Sequence, residues 1–165
     1  MTSYLAEGMR CMQTTVARWL IDHDPDETRQ CFARRPVGSG CTCNECRNFD
    51  AAAGRTFSDD FLALVLTLGI DPTKPSELAH CCKEASGLHL TSGWFHFVGS
   101  IVSGEDVVKW VDNHGTYQFE KLASGCEFGF SARSSLVPEV FAGLPTVQLE
   151  FVTHVPWVLA EPEPA

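Results

Sequence analysis

The chain has 165 residues, enough for one domain that buries an ordinary apolar core, and its 44% apolar and 20% charged content excludes a mainly disordered or fibrous chain. Twelve basic against twenty-one acidic residues give a net charge of −9, which disfavours general nucleic-acid binding and attachment to anionic membranes through bulk electrostatics. No stretch approaches the roughly 20 apolar residues of a membrane span, and the first residues lack the basic-then-apolar pattern of a secretory signal, so a cytoplasmic location is expected.

Residues 1–12 carry little pattern and are expected to fray. From 14 to 23, Ala17, Trp19 and Ile21 share one parity and Arg18 and Asp22 the other, which predicts one half-exposed strand. "DHDPDETRQ" then places acids and a proline where a solvated turn is expected, and the glycine-rich "RRPVGSGCTC" follows as a loop. The glycines of "VGSGC" are expected to allow tight turning, because the spacing and lysine of a phosphate loop are missing.

That loop carries the chain's main chemical signal. Cys31, Cys41, Cys43 and Cys46 fall within sixteen positions, and in a reducing compartment clustered cysteines point to metal or redox chemistry rather than to a disulfide framework. Four soft ligands at about 2.3 Å make a tetrahedral zinc site, and two of them commonly come from a C-x-x-C turn such as Cys43 and Cys46. Cys41 stands two residues before Cys43, so in extended backbone both side chains leave one face. The intervening loop is expected to return Cys31 to the ion, and four ligands favour a closed, structural zinc site. With only three cysteines bound, His23 or His80 is the candidate fourth ligand. Arg29, Arg34, Arg35 and Arg47 against the single acid Glu45 give residues 29–47 a charge of +3, leaving −12 for the rest of a chain whose total is −9. These arginines are expected to offset thiolate charge or to face an anionic patch on a partner protein.

"FSDDFLALVLTLG", 57–69, has the signals of a helix: Ser58 as cap, Asp59 and Asp60 at the positive end, and Gly69 to close it. A shorter helix over "NECRNFDAAAG" is expected to end at Gly54. From residue 77 the period is two, with a hairpin turn at Ser92-Gly93, then strands over "VVKWV", "TYQFEKL" and "CEFGFSAR" with Tyr117, Phe119, Phe128 and Phe130 inward. In "TVQLEFVTHV", 146–155, Val147, Leu149, Phe151, Thr153 and Val155 face one way and Gln148, Glu150 and His154 face solvent. Residues 160–165 are expected to fray. His96 is read as a hydrogen-bonded core histidine, and of the adjacent Cys81 and Cys82 one is expected in the core and one partly exposed.

The expectation is a single α+β domain over 1–165: a mainly antiparallel sheet, as a partial barrel or sandwich, with one or two helices and a Cys-rich metal-binding loop. The N-terminal strand is expected beside the final one. The function expected is that of a small non-enzymatic binding protein with structural zinc. The alternatives are a metal-assisted hydrolase, a thiol oxidoreductase using Cys43 and Cys46, and an acidic immunity-type decoy that blocks a basic target.

Overall fold

Two short strands open the described chain, which in this computed structural model comprises residues 11–164. Of residues 1–12, expected to fray, 1–10 lie outside that range, whereas Met12 is paired with His23 in the first strand. Strand β1, Met12–Val16, pairs antiparallel with β2, Trp19–His23, around a turn in which Ala17 takes φ +49°. The single strand expected over 14–23 is therefore a hairpin. Its reversal at 17–18 sets Val16 opposite Trp19, so that Val16, off parity in one continuous strand, packs on the core.

Helix α1, Pro25–Ala33, stands where a turn and loop were expected. The acids and proline that resemble a breaker form a helix start: the Asp24 carboxylate accepts the Glu27 amide at 2.9 Å, Pro25 occupies the first turn, and Asp26 and Glu27 sit at the positive end of the dipole. Its buried side, Thr28, Cys31 and Phe32, is too narrow to announce itself as a periodic apolar stripe.

Helix α2, Asn44–Ala51, and helix α3, Asp59–Thr67, follow as expected, with Gly69 at φ +80° after α3. Ser58 occupies the cap position of α3 without bonding an amide. Its hydroxyl donates to Asp60, whose Oδ1 accepts the Phe61 amide at 2.9 Å. Hydrogen bonds from Ser58 and Ser124 hold the Asp60 carboxyl down at about 2.

The sheet is built around β4, a long strand over His89–Ser103. Strand β3, Glu77–Lys83, pairs with its first half and β2 with its last residues. The turn expected at Ser92-Gly93 lies inside β4, and the chain reverses instead at 84–88, with Gly87 at φ +84° and the Glu84 amide bonded to the Leu88 carbonyl at 2.8 Å. Gly93 serves close approach: a Cβ there would lie 2.4 Å from the Glu77 carbonyl oxygen and 2.8 Å from the Phe151 ring.

Strands β5, Val108–Val111, and β6, His114–Tyr117, form a separate hairpin, followed by β7, Glu120–Lys121, β8, Glu127–Ser131, and β9, Thr146–Val155. Among the described residues the main sheet has seven strands, all paired antiparallel, in the order β1-β2-β4-β9-β8-β7, with β3 also on β4. It does not close into a barrel. The fold is α+β, with three α-helices among the described residues rather than one or two. The N-terminal strands lie on the opposite side of β4 from β9, because β2 pairs with the end of β4 left open beyond β3.

Helices α2 and α3 cover one face. Phe49, Phe57 and Phe61 pack there against Phe95 and Phe151, with Phe57–Phe61 centroids 4.7 Å apart and Phe57–Phe151 5.0 Å apart. The opposite face is less wet than its polar residues suggest. Gln148 and Glu150 are buried, and Gln148 accepts the Ser135 amide at 2.7 Å from the segment that crosses over them. On the separate hairpin, Tyr117 points out and is about half exposed, whereas Phe128 and Phe130 are buried as expected. Among the described residues no helix is long and apolar enough to cross a membrane.

Candidate metal centre

The first turn of α2 organises three sulfurs. Cys43 is the residue before the helix, in extended conformation, and its Sγ accepts the Cys46 amide at 3.5 Å, so the C-x-x-C spacing turns both side chains to one end of the helix. Cys41 Sγ lies 3.2 Å from Cys43 Sγ. The Sγ atoms of Cys41, Cys43 and Cys46 all lie within 4.8 Å of one another, close enough to meet around one ion.

The loop is set by glycines and by Asp50. Gly38 and Gly40 take φ +93° and +77°, and the Asp50 carboxylate accepts the Ser39 amide at 3.1 Å and its hydroxyl at 3.2 Å. The anion received by the Ser39 amide is therefore the chain's own carboxylate from α2. Gly38 donates its amide to the Thr73 carbonyl at 3.0 Å, fixing the far side of the loop.

Cys31 is not in the group. It is fully buried on α1, where its thiol donates to the Val140 carbonyl at 3.2 Å and accepts from Arg34 at 3.4 Å. Burial pushes this thiol above its ordinary range. The expected return of Cys31 through a flexible loop fails because α1 continues through residue 33 and holds the side chain against the core.

The three remaining sulfurs are electrostatically unequal. Hydrogen bonds from the Cys43 amide and then the Cys43 thiol lower the Cys41 thiol, whereas burial, followed by the neighbouring thiols, raises Cys46. A soft divalent cation would bind such a group through thiolates.

The four arginines do not converge on the sulfurs. Arg29 pairs with Asp26 at 2.7 Å, and Arg34 donates to the Val140 carbonyl at 3.0 Å. Arg35 donates to the Lys74 and Pro75 carbonyls, at 2.7 and 2.9 Å. Arg47 pairs with Glu161 at 2.7 Å. Within the stretch 160–165 expected to fray, Glu161 is held by that pair and Glu163 by a pair with Lys83; just ahead of it, Asn48 donates to the Pro156 carbonyl at 3.0 Å and accepts the Val158 amide at 2.7 Å.

Of the two candidate histidines, His23 is buried in β2 and bonds Thr14 at 2.9 Å, whereas His80 on β3 shares a small cavity with Cys46, Glu45 and Phe49. His80 and Leu78 share a parity on β3, which was the available sequence signal for this placement. Cys81 and Cys82 are both exposed, at the point where β3 shifts register against β4 between His80 and Cys82. His96 is buried as expected, bonded to Ser76 at 2.8 Å and Gln148 at 3.2 Å.

None of the protein families, curated proteins or solved structures compared with this chain matches it. Within the chain itself, the cluster of Cys41, Cys43 and Cys46 is a group that could hold a metal ion.

Proposed function

We propose that this is a small non-enzymatic binding protein in which Cys41, Cys43 and Cys46 hold structural zinc. The observation that carries the reading is the convergence of the three Sγ atoms within 4.8 Å at the start of α2. Three thiolates favour zinc over hard cations such as magnesium or calcium. Cys41 and Cys43 are exposed on the outer side of the loop, where a bound substrate is not drawn out of water, and this favours a structural role over hydrolysis. An ion there ties a loop of low apolar content to the helix that packs Phe49 on the sheet. For an anionic partner, the solvent-facing sides of Arg29 and Arg47 remain, their side chains being 56% and 47% exposed.

A second reading, a dithiol–disulfide centre, is favoured by Cys43 standing at the helix start with Cys46 three residues on. Elemental analysis with thiol titration on protein purified without chelators separates the two. The zinc reading expects about one zinc per chain and its loss in Cys43→Ser. Metal-free wild-type protein that cycles reversibly between dithiol and disulfide would sink it.

A further inference from the structure

Three sulfurs leave a tetrahedral ion one ligand short. The nearest histidine in the fold, His80, stands on the neighbouring strand, outside the 4.8 Å group of sulfurs but facing Cys46. His80 lines the same cavity as Cys46, and its Nε2 lies 2.9 Å from His89 Nδ1. Among the described residues no hydrogen bond engages His80 Nδ1.

A second observation lies behind that ring. His89 is 1% exposed, yet among the described residues its Nε2 has no hydrogen-bond partner. It faces Glu163 Oε2 at 3.6 Å, within reach of charge attraction but longer than a hydrogen bond. A buried ring nitrogen without a partner is costly and needs a reason. Histidines bound to metal through one nitrogen characteristically donate the other N–H to a carboxylate, a backbone carbonyl or water, which fixes the tautomer and raises the basicity of the ligand; here His89 takes the acceptor's place, with a carboxylate behind it.

We infer that His80 supplies the fourth ligand through Nδ1, closing a three-sulfur, one-nitrogen zinc site, with His89 and Glu163 aligned behind it as its orienting chain. The proton arrangement is self-consistent. With the Nδ1 lone pair on the ion, His80 Nε2–H donates to His89 Nδ1, and His89 Nε2–H is directed at the Glu163 carboxylate. Lys83, paired with the same carboxylate, keeps it ionised. The site joins the start of α2 to β3, β4 and the C-terminal stretch, and it has no open position for water.

The inference rests on metal binding by the three cysteines, and the two fail in different ways. Reduced protein is titrated anaerobically with Co(II), followed by displacement with Zn(II). Wild type is expected to show sulfur-to-cobalt charge transfer and the intense d–d bands of a four-coordinate ion. His80→Ala is expected to keep the charge transfer, shift the d–d bands and weaken zinc binding by more than about 100-fold, the upper end of what loss of an outer partner does. Glu163→Gln, on an accessible side chain, is expected to weaken it about 10-fold with the d–d bands little changed. In wild type, zinc is expected to move the side-chain nitrogen resonance of His80 Nδ1 to a metal-bound position, a readout that does not depend on any variant folding. Charge transfer with an unmoved His80 resonance, or with identical bands and affinity in His80→Ala, overturns the fourth ligand and leaves the three thiolates standing. Absence of any cobalt or zinc uptake by wild type overturns both.

Discussion

The hydroxyl of Thr28 accepts the backbone amide of Val98 at 3.0 Å and donates to the Asp24 carbonyl at 2.7 Å. It thereby fastens α1 to the middle strand of the sheet at a point buried from solvent. Thr28→Val keeps the shape and removes the acceptor, leaving the Val98 N–H without a partner. The expected cost is about 1–3 kcal/mol of stability, read as a lower urea midpoint with an unchanged denaturant slope.

Gly93 admits no side chain where β3 crosses its strand. A methyl group there meets a carbonyl oxygen at 2.4 Å on one side and the Phe151 ring on the other. Gly93→Ala is expected to destabilise by roughly 1–3 kcal/mol through displacement of β3. Hydrogen exchange is expected to rise first at the amides of residues 77–83, and a variant as stable and as protected as wild type would refute the close approach.

His96 gives the fold a dependence on pH. Burial lowers its folded pKa to about 4, with the Gln148 hydrogen bond opposing. Since the unfolded value is about 6.5, the unfolded chain binds a proton between these limits that the folded chain refuses, and stability falls as pH drops from about 6.5 to about 4. Burial lowers His23 as well and adds with the same sign. Burial raises the Glu150 carboxyl, so its contribution runs the other way: it is present at low pH and is lost as pH rises above its unfolded value. Denaturant titrations across pH 4 to 6.5 are expected to show a loss on the order of 3 kcal/mol from His96, reduced in His96→Gln.

Asp50 should control metal affinity without touching the ion. Its carboxylate holds Ser39 on the approach to Cys41. Asp50→Ala is expected to weaken zinc binding about 10-fold, the range seen for outer supports of a metal site. Competition against a chromophoric chelator measures this, and Asp59→Ala, at the start of α3, serves as the control that should leave affinity unchanged.

Where side-chain periodicity and local chemistry agree, the fold was legible: α3 between Ser58 and Gly69, and β9 with Val147, Leu149 and Phe151 on one side. It was illegible where long-range packing reassigns a local signal. Pro25 resembles a breaker until its helix is seen to bury it together with Thr28, Cys31 and Phe32, and Gly93 resembles a turn until the neighbouring strand is in place. The same limit divides the candidate site. Cys41, Cys43 and Cys46 follow from spacing within one loop, whereas the separation of Cys31 depends on α1 and the approach of His80 depends on β3 pairing with β4.

Trp157 lies against His89, with ring centroids 5.2 Å apart, and its indole N–H donates to the Glu161 carbonyl at 2.9 Å. Emission from an indole responds to the charge and tilt of an adjacent imidazole. Any event that rearranges that imidazole should therefore register in the protein's intrinsic fluorescence, giving an optical gauge of occupancy that needs no added dye.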